Sequence, residues 1–221
     1  MGFRHVCRLL GAGVLVVSAL TIGSPVVSAE PCPDAEIVFA RGSDEAPGVG
    51  TVGQAFVDAV RAQLPGKSVG VYPVNYAATG DFGNRAVFPS TMFDGVGDAS
   101  AHLKAAAAAC PNTKLLLGGY SQGAAVAAYT TTNPDVPASV HDHVAGIVLF
   151  GRPTAELLSQ FGAPAANISP SYTGKSLDLC APGDSICDGS PGSLLSSLAH
   201  ALYPLNGLVA VAASKAAGRL A

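Results

Sequence analysis

The sequence has few charged residues and no cluster of basic ones. Only 12% of its 221 residues are charged, and the formal net charge is −3. Proteins that bind nucleic acids present a basic patch or stripe, so this charge balance argues against nucleic-acid binding. The chain has no internal repeat, and its 16 prolines and 26 glycines are scattered along it. Because 49% of the residues are hydrophobic, the composition is that of one core-rich domain.

Long apolar segments are scarce, and the one that exists lies at the N-terminus. Residues 9–22 are apolar, two arginines precede them, and small residues occupy positions 27–29. This arrangement predicts a signal peptide over residues 1–29, because the run is short for a membrane anchor and is interrupted by glycine. We expect residues 30–221 to form a single soluble, monomeric domain without a transmembrane segment, secreted to the extracellular space or the cell wall.

Cysteine is also sparse. Cys7 falls in the predicted signal peptide, which leaves Cys32, Cys110, Cys180 and Cys187. Four cysteines allow three pairings, and spacing alone does not choose among them. However, Cys32 and Cys110 each precede a predicted strand and would meet at one edge of a parallel sheet, whereas Cys180 and Cys187 flank a short step after another strand. We therefore predict disulfides Cys32–Cys110 and Cys180–Cys187, which agree with export.

Strands and helices alternate along the chain after the predicted signal peptide. Apolar strands that alternate with helical segments predict a parallel sheet covered by helices on both faces. The sequence therefore predicts an α/β fold with a central five-stranded parallel sheet. The predicted strands cover residues 35–40, 69–76, 115–117, 145–150 and 175–179, and the predicted helices cover residues 51–64, 91–109, 124–129 and 205–220.

The segment around Ser121 carries the clearest catalytic motif. An apolar run at 115–117 leads into Gly-Tyr-Ser-Gln-Gly at 119–123, and an alanine-rich helical run follows. Gly-x-Ser-x-Gly between a strand and a helix is the pattern of a nucleophile elbow. A serine hydroxyl needs a neighbouring base to become a strong nucleophile, so its side chain must project from a sharp turn. The motif predicts Ser121 as a nucleophile, and the alternative is a glycine-rich turn before an ordinary helix.

A carboxylate and a histidine follow in the order that this motif requires. Ser43, Ser121 and Asp184 come after the first, third and fifth predicted strands, and the carboxyl ends of parallel strands share the edge where ligands bind. Asp184 lies in the loop between Cys180 and Cys187, and His200 completes the chain order Ser, Asp, His. We predict that Asp184 orients the imidazole and that His200 is the general base.

Other acids and histidines are weaker candidates. Asp178 lies inside the fifth strand, and Asp188 lies just past the second cysteine pair. His102 falls in a predicted helix and suits a surface or packing role. His141 and His143 could supply two metal ligands, but no third ligand lies near them in the sequence, so we interpret them as part of a solvated loop. We predict no metal site.

Four segments together resemble the cutinase family. They are Arg-Gly-Ser at 41–43, the motif at 119–123, Gly-Arg-Pro at 151–153, and Cys-x3-Asp-x2-Cys at 180–187 followed by a histidine. The resemblance covers about residues 32–203. Within the family, the sequence is most similar to the actinobacterial, mycobacterial-type members. It implies an α/β-hydrolase fold without a large lid that acts on carboxylic esters.

The resemblance also implies further site residues. The Ser43 position and the amide of Gln122 would form the oxyanion hole. We further predict an acyl pocket formed by Ile186, Leu194, Leu195 and Leu198.

These features predict a secreted serine esterase that forms an acyl-enzyme and needs no cofactor. Its partners would be small-molecule or lipid esters, with short- to medium-chain acyl groups, lipids and the polyester cutin as candidate substrates. Two alternatives remain open at this point: an acyltransferase that uses the same triad, and a catalytically idle cell-surface binding protein that keeps the fold.

Overall fold

Five strands in the order β2-β1-β3-β4-β5 form the central sheet. The computed structural model describes residues 1–2 and 31–221, so nearly all of the predicted signal peptide (1–29) lies outside the described residues. Every neighbouring pair of strands is parallel. The strands are β1 (Ala35–Ala40), β2 (Val69–Pro73), β3 (Lys114–Tyr120), β4 (Val144–Phe150) and β5 (Ser176–Leu179).

The alternation of side chains along the inner strands creates two hydrophobic cores, one on each face of the sheet. Leu115 and Leu117 of β3 belong to the first core, whereas Leu116 belongs to the second. This is the period of two that strand geometry imposes. Because both faces are buried, the three consecutive residues 115–117 are all leucine, as expected for a strand inside a parallel sheet.

Helices cover both faces of the sheet. The first core is completed by side chains of α2, α3, α4 and α5, and the second core by side chains of α1 and α8. The predicted fold class is confirmed, and no large lid covers the sheet edge within residues 31–221. The helices are α1 (Gly50–Gln63), α2 (Val87–Ala109), α3 (Gln122–Thr132), α4 (Ala138–His141), α5 (Ala155–Gln160), α6 (Ser185–Asp188), α7 (Leu194–Ala201) and α8 (Leu208–Leu220), with a 3₁₀ helix at Pro170–Lys175.

Helix α2 begins four residues before its predicted start. The side-chain oxygen of Asn84 accepts hydrogen bonds from the backbone N–H groups of Ala86 and Val87. It thereby satisfies N–H groups that have no partner within the helix. Pro89 lies in the first turn, where the missing N–H of proline costs no helical hydrogen bond. The predicted start at residue 91 was too late because it left this proline outside the helix.

Two other predicted boundaries also differ from the structure. Strand β2 ends at Pro73 and does not continue to residue 76. The N–H of Val74 still donates to the carbonyl oxygen of Phe39 at 3.0 Å, but the N–H of Asn75 donates to a carboxylate oxygen of Asp98 at 2.8 Å as the chain leaves the sheet. Helix α8 begins at Leu208, after Gly207 in the left-handed region at φ 85°, which is a conformation that favours glycine. None of the helices within residues 31–221 has the length and apolar character needed to cross a membrane.

Both predicted disulfides are confirmed. Cys32–Cys110 joins the segments that precede β1 and β3, at a sequence separation of 78. Cys180–Cys187 closes a short loop after β5, at a separation of 7. The long bridge fastens the start of β1 to the start of its neighbour, and the short bridge constrains only its own loop.

The two bridges should therefore differ in their effect on stability. Cys32→Ala/Cys110→Ala should lower the free energy of unfolding by about 4–5 kcal/mol, because the bridge restricts a long loop of the unfolded chain. The matched variant Cys180→Ala/Cys187→Ala should cost about 2–3 kcal/mol on the same loop-entropy argument. Denaturant unfolding of the three proteins gives these values. An equal cost for both variants, or a larger one for the short bridge, would contradict this account.

Candidate active site

Ser121 occupies a strained turn between β3 and α3. Its backbone lies at φ 55° and ψ −119°, a conformation that is costly for any residue with a β-carbon. The flanking glycines explain why the turn can form. A β-carbon on Gly119 would lie 2.1 Å from the carbonyl oxygen of Gly123, and one on Gly123 would lie 2.0 Å from that of Ala40. The two glycines of the motif are therefore required by close backbone packing.

The turn is fastened to the end of β4. The N–H of Ser121 donates to the carbonyl oxygen of Phe150 at 2.9 Å. The next residue, Gly151, has φ 58°. A β-carbon at this position would lie 2.8 Å from the His200 ring and 3.0 Å from Oδ2 of Asp184. Gly151 thus connects the serine turn to the acid and the histidine, and only glycine fits there.

Asp184 is fully buried, and its carboxylate has three hydrogen-bond donors around it. Oδ1 accepts from the N–H of Ile186 at 3.1 Å, as the N-cap of α6. Oδ2 is 2.8 Å from Nδ1 of His200 and accepts from the hydroxyl of Tyr203 at 2.9 Å. A buried carboxylate is costly without such partners. This network compensates for the burial of the charge and fixes the direction of both oxygens.

His200 is held on three sides. Its Nδ1 faces Asp184, which leaves Nε2 free when the Nδ1 proton occupies that hydrogen bond. The Tyr120 ring stacks on the imidazole with 4.9 Å between centroids, and the Tyr120 hydroxyl donates to the carbonyl oxygen of His200 at 2.9 Å. The structure has no direct hydrogen bond between His200 and Ser121, two residues that it describes. Catalytic contacts are often longer before substrate binds.

Two buried tyrosines act as permanent donors beside the pair. Burial raises the pKa of Tyr203 and of Tyr120 well above the usual value for a phenol. The nearby carboxylate of Asp184 acts in the same direction on both. Both hydroxyls are therefore protonated near neutral pH, where they can donate hydrogen bonds.

A rigid frame holds the backbone on either side of Ser43. The N–H of Gly42 donates to Oε2 of Glu45, and the N–H of Thr51 in α1 donates to Oε1 of the same side chain, both at 2.7 Å. The buried guanidinium of Arg41 donates to the carbonyl oxygen of Glu45 at 2.9 Å. Gln122 begins α3, so its N–H has no partner within the helix. Ser43 and Gln122 both line the cavity next to Ser121.

The frame continues into the loop between β2 and α2. Asp44 has φ 58°; its N–H donates to the carbonyl oxygen of Ala78 at 2.7 Å, and its Oδ1 accepts from the N–H of Gly80 at 2.8 Å. The side chain of Gln122 donates to the carbonyl oxygen of Thr79 at 3.0 Å. The same loop carries Phe82, so the position of this aromatic ring is tied to the backbone around Ser43.

An apolar cavity of about 170 Å³ opens beside Ser121. Three aromatic rings, those of Phe82, Phe88 and Phe161, pack with 5.0 to 5.4 Å between centroids. We call this space the acyl cavity; it is lined by Ser43, Phe82, Phe88, Ser121, Gln122, Pro153, Leu157, Leu158, Phe161 and Ile186. Of the four residues predicted for an acyl pocket, it contains Ile186 only.

The three leucines predicted for that pocket lie elsewhere. Leu194, Leu195 and Leu198 are 78%, 77% and 48% exposed on α7, and none of them lines the acyl cavity. The prediction was wrong at these positions because α7 presents them to the outside. The cavity is instead built by α5 and by the loop and helix start at residues 82–88.

The weaker candidates of the sequence analysis have structural partners of their own. Asp178 accepts from Nε of Arg152 at 2.9 Å, and Asp188 accepts from the N–H of Ser190 at 2.8 Å. His102 stacks on Tyr72 and lies 3.1 Å from a carboxylate oxygen of Glu36. His141 packs against Tyr172.

Metal-ligating side chains also come together around Asp184. Cys180, Asp184 and Cys187 have their ligating atoms within 4.8 Å of one another. The two cysteines are joined to each other in a disulfide and offer no thiolate. This cluster therefore does not fit a metal ion.

Several site residues escaped the sequence analysis. Tyr203 lies three residues after His200 but past the last residue of α7, Ala201, so helical spacing from His200 gave no signal for it. Tyr120 is a variable position of the serine motif and gave no signal. Glu45 and the aromatic rings of the acyl cavity lie far from Ser121 in the sequence, so only the fold brings them near.

Comparison with known proteins agrees with this geometry. The family model of the cutinases matches residues 31–216. Carboxylesterase Culp1 of Mycobacterium tuberculosis is 42% identical over 222 residues, which cover 98% of this chain and 97% of that protein. Phospholipase Culp4 of the same organism is 46% identical over 168 residues, covering 72% of this chain and 69% of that protein.

A solved structure also points to the cutinase family. Trichoderma reesei cutinase, in complex with a phosphonate inhibitor, has a TM-score of 0.66 and 30% identity, covering 86% of this chain and 78% of that chain. The family match includes the serine turn, the acid loop and the histidine. The chain therefore belongs to the cutinase family and is a carboxylic ester hydrolase.

Proposed function

We propose that the protein hydrolyses esters through a covalent acyl-enzyme, with Ser121 as nucleophile, His200 as general base and Asp184 as the acid that orients the imidazole. The observation that carries this proposal is the 2.8 Å contact between Nδ1 of His200 and the buried carboxylate of Asp184, beside the strained turn of Ser121. A histidine held in this way has one nitrogen free for proton transfer.

Acylation follows from these positions. The Ser121 hydroxyl oxygen attacks the carbonyl carbon of the ester, and Nε2 of His200 takes its proton. The carbonyl oxygen becomes an oxyanion that faces the N–H groups of Gln122 and Ser43, whose hydroxyl is a further donor. The carbon–oxygen bond to the alcohol then breaks, and the imidazolium gives its proton to the leaving oxygen. Asp184 stabilises the imidazolium throughout.

Deacylation repeats the sequence with water. His200 takes a proton from a water molecule, whose oxygen attacks the acyl carbon, and the imidazolium returns the proton to Ser121 as the carboxylic acid leaves. Apart from the ester and this water molecule, each proposed step uses groups of the chain itself.

The acyl cavity favours a short to medium acyl group. Its lining is almost entirely apolar, and its volume is about 170 Å³. Apolar cavities of about 150 Å³ hold a ligand as large as benzene, so the closed part of this cavity takes about six carbons. Longer chains would extend past Phe82, which is half exposed at the surface.

We also propose that the protein is secreted as a monomer. Two disulfides within 190 residues support export, because such bridges persist in oxidising compartments.

Replacing the nucleophile tests the mechanism directly. Ser121→Ala should lower kcat by about 10⁴-fold or more, since the covalent step is lost, and should abolish labelling by a fluorophosphonate probe. Ser139→Ala, an exposed serine on α4, is the control and should keep both. If Ser121→Ala keeps more than a tenth of the activity, Ser121 is not the nucleophile. If the wild-type protein resists the probe, the binding-protein alternative is favoured.

Removing the Tyr203 hydroxyl should affect catalysis by way of Asp184. Tyr203→Phe leaves Oδ2 with one donor fewer, so the carboxylate charge acts more strongly on the imidazolium. The acidic limb of the kcat/KM profile should then move to higher pH. We expect kcat to fall about tenfold with KM little changed, since a hydrogen bond to a charged group is lost. Burial keeps the wild-type phenol protonated, so Tyr203 itself should add no alkaline limb.

The matched control for this experiment is Tyr172→Phe, which removes a buried tyrosine hydroxyl in the other core. It should change neither kcat nor the pH profile. If the acidic limb does not shift in Tyr203→Phe and activity is lost only because the variant unfolds, Tyr203 acts through packing alone and the prediction is wrong.

Chain-length preference tests the acyl cavity. A series of p-nitrophenyl esters should give the highest kcat/KM at about four to eight acyl carbons, as the cavity volume implies. Leu157→Trp narrows the cavity and should shift the optimum to shorter chains. Leu195→Trp, on the exposed face of α7, should leave the optimum in place. A shift caused by the Leu195 variant and not by the Leu157 variant would restore the pocket first predicted from sequence.

A further inference from the structure

Strained backbone occurs at two places besides the nucleophile turn. Within residues 1–2 and 31–221, the residues other than glycine that have a positive φ are Asp44 at 58°, Ala78 at 51° and Ser121 at 55°. Each such residue costs about 1–3 kcal/mol and persists only where the surrounding structure holds it. The N–H of Asp44 donates to the carbonyl oxygen of Ala78 at 2.7 Å. Acylation uses neither residue directly, so this strained pair needs an explanation of its own.

The side chain of Asp44 joins two segments of the site. We call residues 41–45 the oxyanion turn, because they contain Ser43, and residues 76–82 the cavity loop. Oδ1 of Asp44 accepts from the N–H of Gly80 in this loop at 2.8 Å. The approach is so close that a β-carbon on Gly80 would lie 2.1 Å from Oδ2 of Asp44. Asp44 therefore holds the loop against the turn through both its backbone and its side chain.

The second residue of the oxyanion hole contacts the same loop. Gln122 is buried, and its side-chain nitrogen donates to the carbonyl oxygen of Thr79 at 3.0 Å. Ser43 is fastened to the loop through its neighbour Asp44, and Gln122 through its own side chain. The position of the cavity loop thus affects both groups that would face the oxyanion.

The end of the cavity loop forms part of the acyl cavity. The Phe82 ring packs against Phe88 and Phe161 with 5.0 and 5.2 Å between centroids. Its backbone N–H donates to the carbonyl oxygen of Gly80 at 2.7 Å. Phe82 is 44% exposed, so an acyl chain in the cavity would cover part of its surface. The chain would therefore contact a ring two residues away from the point that Asp44 holds.

We propose that Asp44 is a positioning residue that couples the acyl cavity to the oxyanion hole. An acyl chain that packs against Phe82 fixes the cavity loop, and the contacts of Asp44 pass this restraint to the N–H of Ser43. Binding energy from the acyl chain is then used at the reacting carbonyl group, so it raises kcat more than it lowers KM. This inference rests on the proposed function, because it takes the oxyanion hole and the acyl cavity from it.

Two substitutions break the contact from opposite sides. Asp44→Gly removes the carboxylate and suits the positive φ, so it adds no strain. Gly80→Ala adds a β-carbon that displaces the carboxylate, and the φ of Gly80 lies outside the left-handed region. Arg41 anchors the base of the loop separately, by donating to the carbonyl oxygen of Tyr76 at 2.6 Å. Both variants should therefore fold, which their thermal unfolding checks.

The ratio of kcat for p-nitrophenyl hexanoate to kcat for p-nitrophenyl acetate measures the coupling. Acylation and deacylation both pass through an oxyanion, so this ratio reports on the oxyanion hole whichever step is slower. A group displaced by about 1 Å can cost on the order of 100-fold in rate, so looser positioning should cost about tenfold. We expect a ratio of about ten in the wild type and about one in both variants, with KM for the hexanoate changed less than about twofold.

Two control variants separate the hydrogen bond from charge and from general effects. Asp44→Asn keeps the acceptor oxygen, and asparagine tolerates the left-handed region, so it should retain the wild-type ratio. Asp135→Gly makes the same change as Asp44→Gly at an exposed acid after α3 and should also retain it. Phe82→Ala should lower kcat for the hexanoate in the wild type and have little further effect in Asp44→Gly, because coupled residues are not additive.

The outcomes separate this inference from the proposed function. If the wild-type ratio is near one, if Asp44→Gly lowers kcat for both esters by the same factor, or if Asp44→Asn loses the ratio as Asp44→Gly does, the coupling is wrong and the acyl-enzyme mechanism stands. Additive losses in the Phe82 and Asp44 double variant would also overturn the coupling. If the wild type cleaves neither ester, or if Ser121→Ala cleaves both as well as the wild type does, the proposed function itself fails.

Discussion

The parallel pairing of β3 with β1 on one side and β4 on the other is the constraint on which the site depends. Ala40, the last residue of β1, is level with Gly119, and Phe150, the last residue of β4, is level with Tyr120. The three strands therefore end together around Ser121. Packing between them is so close that backbone carbonyl groups occupy the space where glycine side chains would begin. The strained serine turn is stable because the surrounding backbone admits no other path.

Burial of the Asp184 carboxylate is the main electrostatic cost of this architecture. The fold meets the cost with short-range donors from three sources: the start of α6, the imidazole, and a phenol whose burial keeps it protonated. The disulfide that closes the loop limits how far the carboxylate can move. The stability of the buried Asp184 carboxylate and its orientation thus depend on the same few contacts. The loss of one donor would leave this buried charge partly unpaired.

Local signals in the sequence were enough to predict the sheet, the parallel direction of its strands and both disulfides. They were also enough to predict that Ser121, Asp184 and His200 lie at one edge of the sheet. These features depend on periodicity, on motif spacing and on the rule that parallel strands end together. The acyl cavity was predicted wrongly at Leu194, Leu195 and Leu198. Apolar residues near a catalytic histidine suggest a pocket, but the rotation of α7 about its axis decides which way they face, and that depends on packing. The start of α2 was missed because the capping by Asn84 requires the loop conformation.

The two hydrophobic cores support different parts of the site. Phe88 and Leu158, which line the acyl cavity, belong to the core beneath α2 and α3, whereas Tyr203 and Phe150, which support the acid and the histidine, belong to the core beneath α1 and α8. The sheet separates the two sets of side chains. Substitutions that reshape the cavity can therefore alter one core without disturbing the contact between Asp184 and His200. In this sense the fold is modular, and specificity can diverge among relatives while the chemistry stays constant.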